Sequence, residues 1–398
     1  MTEVIEKTEN KKGYKKTKLG WIPEDWDVIK LGSIIEESTL KSSVENQLPV
    51  LTSSRRGLMY QTDYYNEQNV IFNKSNIGFN ILPKGYITYR SRSDDGFFTF
   101  NLNKLADGIV SIYYPVFKTK LNDYFICSLL NISSKILYKY AIGSSQKVLA
   151  ISDLSKISYG IPKIEEQEKI AEILSAWDDG IETLEKLIEQ KKILKNSLAQ
   201  KYFHRKNNLF QLKQHKLGEL FKNRKDTNCC DLELLSVCDG LGIVPRSQLN
   251  AKDNSNKDKS KYLKVCVGDL AYNTMRMWQG RCGVSSYEGI VSPAYTVCIP
   301  KDNIDVDYMY YLFKTPHMIH DFWRYSQGIV DDTLNLKFNN FEVIKVWIPD
   351  KETQTKIAKL LKSYDEEIQI LNSKLEKLKE QEKGLMQKLL TGQIRVKV

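Results

Sequence analysis

One stretch of this chain occurs twice, and that duplication constrains the fold more than any other feature. IPKIEEQEKIAEILSAWDDGIETLEKLIEQ, from Ile161, aligns with IPDKETQTKIAKLLKSYDEEIQILNSKLEK, from Ile348. Over 161–203 against 348–390 the two run without a gap, and 16 of 43 positions are identical. Shared helical composition accounts for a few matches, but not for Ile161/Ile348, Pro162/Pro349, Gln167/Gln354, Ile170/Ile357 and Ala171/Ala358 all in register. Self-similarity of this kind marks a repeated structural unit. It extends upstream: Lys30-Leu31-Gly32 matches Lys216-Leu217-Gly218, KGYITYR (84–90) resembles VGDLAYN (267–273), and GIVS stands at 108–111 and 289–292. GSSQKVL (143–149) and GIVDDTL (328–334) precede the two IP boundaries. Each half therefore reads as one globular domain followed by one helix.

The helices carry a heptad seam. In the second, Ile357, Leu361, Tyr364, Ile368, Leu371, Leu375, Leu378, Leu385 and Leu389 alternate spacings of four and three, with Glu382 in the one missing place. In the first, Ile170, Leu174, Trp177, Ile181, Leu184 and Ile188 do the same, after which the pattern shifts phase to Leu194, Leu198 and Tyr202. Such seams belong to helices that pack lengthwise on one another. Pro162 and Pro349 fix an extended lead into each helix. The expected organisation is a charged arm over 1–17, a domain over 18–160, a helix over 161–205, a second domain over 206–347, and a helix with tail over 348–398. At 1.5 Å per residue, helices of roughly 35 residues span about 50 Å. Paired antiparallel, they hold two similar domains apart about a pseudo-two-fold axis. The competing arrangement is two amphipathic helices, each lying on its own domain.

Both domains read as mixed α/β, so the fold class expected is α+β. Strand-like runs include GYITYR, IVSIYYPVF, DLAYN and AYTVCIP; helical ones are NDYFICSLLNISSKILYKYA and VDYMYYLFKTPHMIHDFWRYS. The joints between them gather cationic, amide and aromatic side chains. In the first domain these are Arg55, Arg56, Lys74, Tyr89, Arg90, Arg92, Gln146 and Lys147; in the second, Arg246, Asn273, Arg276, Trp278, Gln279, Arg281 and Arg324. Arg grips guanine O6/N7 in two bonds, Gln and Asn do the same at adenine, and Lys sets position on phosphates. A formal net charge of +10 suits a polyanionic partner without proving one. Two base-reading domains at a fixed spacing suit two DNA half-sites about one helical turn, roughly 34 Å, apart. A non-catalytic scaffold that binds proteins through its coiled coil is the alternative.

No phosphate loop, dinucleotide fingerprint or NPPY-like tetrapeptide is present, and the scattered histidines and seven cysteines show no metal-ligand spacing. PDKETQTK (349–356) has the look of a nuclease motif but sits in the repeated helix start, where capping explains it. Neither a catalytic residue, a metal site nor a bound cofactor is expected. With no run of about 18 apolar residues and no apolar leader, a cytoplasmic protein is expected.

The opening LGWIPEDWDVIKLG, the two IP…EQ.KIA..L helices, the VGDLAYNTMRMWQG…GIVSPAYTV run and the closing LLTGQIRV together resemble the specificity subunit of type I restriction–modification systems. The likeness covers nearly the whole chain. It implies two target-recognition domains, each reading one half of a split DNA site, and two spacer helices packed antiparallel. It also implies that the chemistry lies in partners: two modification subunits that carry S-adenosylmethionine and methylate adenine, joined by restriction subunits that use ATP and magnesium. The first domain departs from the pattern, with SRSDDGFFTFN where the second has TMRMWQGRCG.

Overall fold

The structure is a computed structural model that describes residues 12–64, 75–204, 209–238, 242–249, 255–330 and 333–397. The chain divides into two compact units, one running up to Thr183 and resuming at Leu375, the other spanning Leu184–Lys374. Both long helices, Ile164–Phe203 and Lys351–Leu390, cross from one unit to the other.

The first unit is built on a four-stranded antiparallel sheet in the order Ile35–Glu37, Val116–Thr119, Ile87–Tyr89, Phe100–Leu102. A hairpin (Leu51–Ser54 with Gly57–Tyr60) and the pair Asn80–Leu82 with Gly108–Val110 complete it. The helices Asp123–Ile132 and Ser134–Tyr140 cover the sheet. Ile170 and Leu174 of the first long helix join this core together with Leu389 and Leu390 of the second. Burying side chains of this size contributes about 1.5–3 kcal/mol each.

The second unit repeats the sheet, the hairpin and the outer pair. Its sheet runs Phe221–Arg224, Tyr295–Pro300, Leu270–Asn273, Cys282–Val284, the same order in the same sense. The hairpin returns as Leu235–Cys238 with Gly242–Pro245, and the outer pair as Leu263–Val265 with Gly289–Val291. Helices Val306–Phe313 and Pro316–Tyr325 cover it, and Ile357, Ala358 and Leu361 seal the core against Phe203.

The repeated sequence motifs have physical counterparts. In each KLG the leucine is fully buried and the glycine backbone lies against the segment before the IP strand. The Gly32 and Gly218 amides donate to the carbonyls of Ser155 and Glu342, at 3.0 and 2.9 Å. A Cβ on Gly32 would lie 3.0 Å from that carbonyl oxygen, and one on Gly218 2.9 Å from the Glu342 Cβ, so only glycine fits without displacement. Gln167 and Gln354, both 1% exposed, donate to the Pro162 and Pro349 carbonyls and accept from the Asn122 and Asp305 amides.

Three sequence expectations change. IVSIYYPVF is two strands, Gly108–Val110 and Val116–Thr119, because a turn and Pro115 interrupt it. Each covering helix is also split, at Ser133 and before Pro316, whose missing N–H starts a new helix rather than continuing one. And the seam of the first long helix does not shift phase. Leu194 is 46% exposed, whereas Lys191 and Lys195 hold the regular three–four positions and bond to Glu367 and Asp365 of the second helix.

Candidate nucleic-acid interface

The side chains expected to read DNA are placed by two loops that correspond between the units. Strand Ile87–Tyr89 leads into loop 90–99; strand Leu270–Asn273 leads into loop 274–281. The anchoring is the same in both. Ser91 donates from its backbone and its hydroxyl to the Tyr113 carbonyl, as Thr274 does to that of Ala294. The carbonyl of Ser91 accepts from the Leu149 amide, that of Thr274 from the Leu336 amide. One scaffold thus displays two different sets of side chains.

In the first unit the scaffold gathers four of the expected readers. Arg55 sits at the tip of the Leu51–Ser54/Gly57–Tyr60 hairpin and reaches across to the carboxylate of Asp95, its guanidinium carbon 5.3 Å from the centre of the Phe97 ring. Arg92 lies 4.3 Å over the ring of Tyr113. Lys147 pairs with Ser93 in the short strand Lys147–Val148, its ammonium 4.8 Å from the ring of Tyr138. Gln146, one residue before, donates from Nε2 to Oδ1 of Asp94 at 2.8 Å. Asp95 is held well below the usual carboxylate range, first by Arg55 and then by the hydrogen bonds from the Phe97 amide and Ser93. Arg56 and Arg90 are exposed close by in sequence, and Lys74 lies outside the described residues.

Tyr89 does not belong to this surface. It is fully buried, its hydroxyl donates to the Leu149 carbonyl at 2.9 Å, and its ring stacks on Phe100. Every residue of its strand is buried, and exposure begins only at Arg90, where the strand ends.

In the second unit the turn Met277–Gln279 packs Met277 into the core and leaves Gln279 and Arg281 exposed. Trp278 is half-buried and its indole N–H donates to the Met275 carbonyl at 3.0 Å. Asn273 caps the turn, accepting from the Met275 amide at 2.9 Å. Burial raises the Tyr295 phenol, which meets Asn273 and the charge of Arg246. Arg276 is half-buried in the same turn, and Arg324, exposed, extends from the helix Pro316–Tyr325 that packs behind it. The residues that sequence reasoning missed are Asp94, Asp95, Phe97 and Tyr113. The signal was the SRSDDGF run standing in the place of TMRMWQG; the acids concealed it, because carboxylates argue against a DNA surface.

The seam residues nearest the domains, Ile170, Leu174, Ile357 and Leu361, join the two cores. Ile170, Leu174, Ile181, Leu184, Ile357, Leu361 and Leu375 are buried; Trp177, Tyr364, Ile368, Leu371 and Leu378 are half-buried.

A family model described as type I restriction modification DNA specificity domain matches residues 23–193 and 245–380. The putative type I restriction enzyme MjaX specificity subunit of Methanocaldococcus jannaschii is 24% identical over 427 residues, 96% of this chain and 97% of that protein. The MjaVIII specificity subunit of the same organism is 22% identical over 416 residues, covering 94% of each. Among solved structures, a type I restriction–modification S subunit from M. genitalium overlays with a TM-score of 0.60 at 16% identity, covering 96% of this chain and 98% of its own. A chain from a type I restriction–modification assembly study overlays at 0.54 with 13% identity, covering 94% and 99%. These two likenesses are of fold.

Proposed function

Because the chain belongs to the type I restriction–modification DNA specificity family, as a sequence-specific DNA-binding subunit, we propose that each of its domains reads one half of a bipartite site through the paired loops. The carrying observation is that loops 90–99 and 274–281 share their anchoring bonds at Ser91 and Thr274 yet display different chemistry. Arg55, Arg92 and Gln146 serve one half-site; Arg276, Gln279 and Arg281 serve the other. Arginine suits guanine and glutamine adenine, while Lys147 suits a phosphate. The long helices, about 60 Å each at 1.5 Å per residue, set the gap between half-sites. Their outward faces dock two modification subunits that supply S-adenosylmethionine and methylate adenine, and restriction subunits add ATP- and magnesium-dependent work inside the cell.

The test is the double substitution Arg276→Ala, Arg281→Ala, expressed with the modification subunits. Assembly is retained, while site-specific adenine methylation falls at least tenfold. A variant that methylates the same sites as fully as the parent overturns the assignment of the second domain's readers. One that no longer assembles points to a scaffold role for this surface.

A further inference from the structure

Two carboxylates stand among the cationic readers of the first domain, and their position has a physical consequence. An acid close to the DNA backbone opposes phosphate and weakens binding, so Asp94 and Asp95 are costly here unless they contribute something else. Asp95 uses both oxygens. Oδ1 accepts from the Ser93 hydroxyl at 2.9 Å and from the Phe97 amide at 3.1 Å, which leaves Oδ2 turned to the Arg55 guanidinium. The turn beside it admits only glycine. Gly96 has φ +74°, and a Cβ there would fall 2.4 Å from the Tyr138 ring. Arg55 lies between this carboxylate and the face of Phe97. Asp94 takes one N–H of the Gln146 amide. What Gln146 keeps is its carbonyl oxygen and one N–H, the acceptor–donor pair that complements adenine N6 and N7.

We infer that Asp94 and Asp95 are positioning residues for base recognition in the first domain: Asp95 aims Arg55, and Asp94 fixes which face of the Gln146 amide is presented. This rests on the DNA-reading function proposed above and deepens it. The acids give up some general affinity for DNA and gain discrimination between bases, because an arginine fork that is already oriented satisfies one base geometry and not its neighbours.

The experiment uses the complete complex of this chain with its modification subunits and labelled duplexes carrying its own methylation motif. Companion duplexes have one base changed in either half. Asp95→Asn is expected to lower the ratio of specific to non-specific binding about tenfold, with the loss confined to the half-site read by the first domain. Discrimination at the other half reports that the complex is intact. In an Arg55→Ala background the same substitution changes the ratio less than twofold, since its effect runs through Arg55. Asp94→Asn behaves likewise against Gln146→Ala, and Asp95→Glu restores part of the lost discrimination. An Asp95→Asn complex that binds all duplexes more tightly with the ratio unchanged makes the acids a mere counter-charge and overturns the inference. So does a loss of equal size in the Arg55→Ala background. A parent complex with no preference for its own motif fails earlier, overturning the reading function itself and this inference with it.

Discussion

Gln167 and Gln354 tie the lead of each long helix to the covering helix of its own unit. Each is buried, with its amide bonded on one side to a proline carbonyl and on the other to the amide of the residue capping that covering helix. Replacing either by alanine strands a buried carbonyl and a partly buried N–H, a change that costs about 1–3 kcal/mol. Urea denaturation of Gln167→Ala and Gln354→Ala checks this; a loss below about 0.5 kcal/mol contradicts it. The sequence marked both glutamines, since they recur in register, but not their partners, which lie 45 and 49 residues upstream. The candidate reading surface is legible in the same partial way. Arg55, Arg92, Gln146 and Lys147, expected from side-chain chemistry, lie on one loop cluster, whereas Tyr89 is core. Its neighbour Arg90 is exposed, and where the buried strand ends decides which of the two is core.

At the level of elements, the heptad seam was read correctly only where it is apolar. Lys191 and Lys195 interrupt a hydrophobic count, so the apolar pattern changes phase there, yet geometrically the seam continues through them. The two units show what happens at equivalent seam positions. In the second unit Lys195 meets Asp365, which also accepts from the Tyr311 hydroxyl at 2.7 Å. In the first unit the corresponding residues are Glu382 and Asp178, with the Tyr124 hydroxyl 2.5 Å from Asp178 and Lys104 at 3.8 Å. Burial and the facing Asp178 carboxylate push Glu382 up to about 7, against an ordinary 4.5, with Lys379 opposing weakly. An acid raised on folding holds a proton that the unfolded chain releases. Its stability contribution is therefore complete below about 4.5 and lost as pH rises through about 7. Glu382→Lys recreates the pair of the second unit. It is expected to stabilise the chain at pH 8 by about 1 kcal/mol and to abolish the decline between pH 5 and 7. Thermal unfolding at several pH values measures both, and a variant that melts below the parent at pH 8 sinks the explanation.

At the scale of the whole molecule, the first unit is assembled from distant parts of the chain. Arg395, near the end of the described residues, bonds to Glu166 at 2.7 and 2.8 Å and to Asp25 at 2.8 and 2.6 Å. Trp26, 1% exposed, donates its indole N–H to the same Glu166. The Tyr14 hydroxyl donates to the Gly392 carbonyl at 2.7 Å. Arg395→Ala leaves Glu166, 4% exposed, without its cation. Because Arg395 itself is about a third exposed, the cost expected is about 2 kcal/mol, below that of a fully buried pair. Denaturation of this variant should destabilise the first unit and spare the second, which is measurable by hydrogen exchange in each. Equal weakening of both contradicts it. The sequence contained the two segments, LGWIPEDW and TGQIRV, as separate motifs; that they touch depends on a fold that brings residues 370 apart into one cluster.

The central claim is that two domains of one design read two independent DNA half-sites. The most direct measurement is genome-wide mapping of methylated adenine in cells carrying this chain, repeated with Arg55→Ala in the first domain. The account predicts a split motif with a fixed gap, in which Arg55→Ala relaxes the bases of one half and leaves the other half and the gap unchanged. An undivided motif, or a relaxation that affects both halves equally, would contradict it.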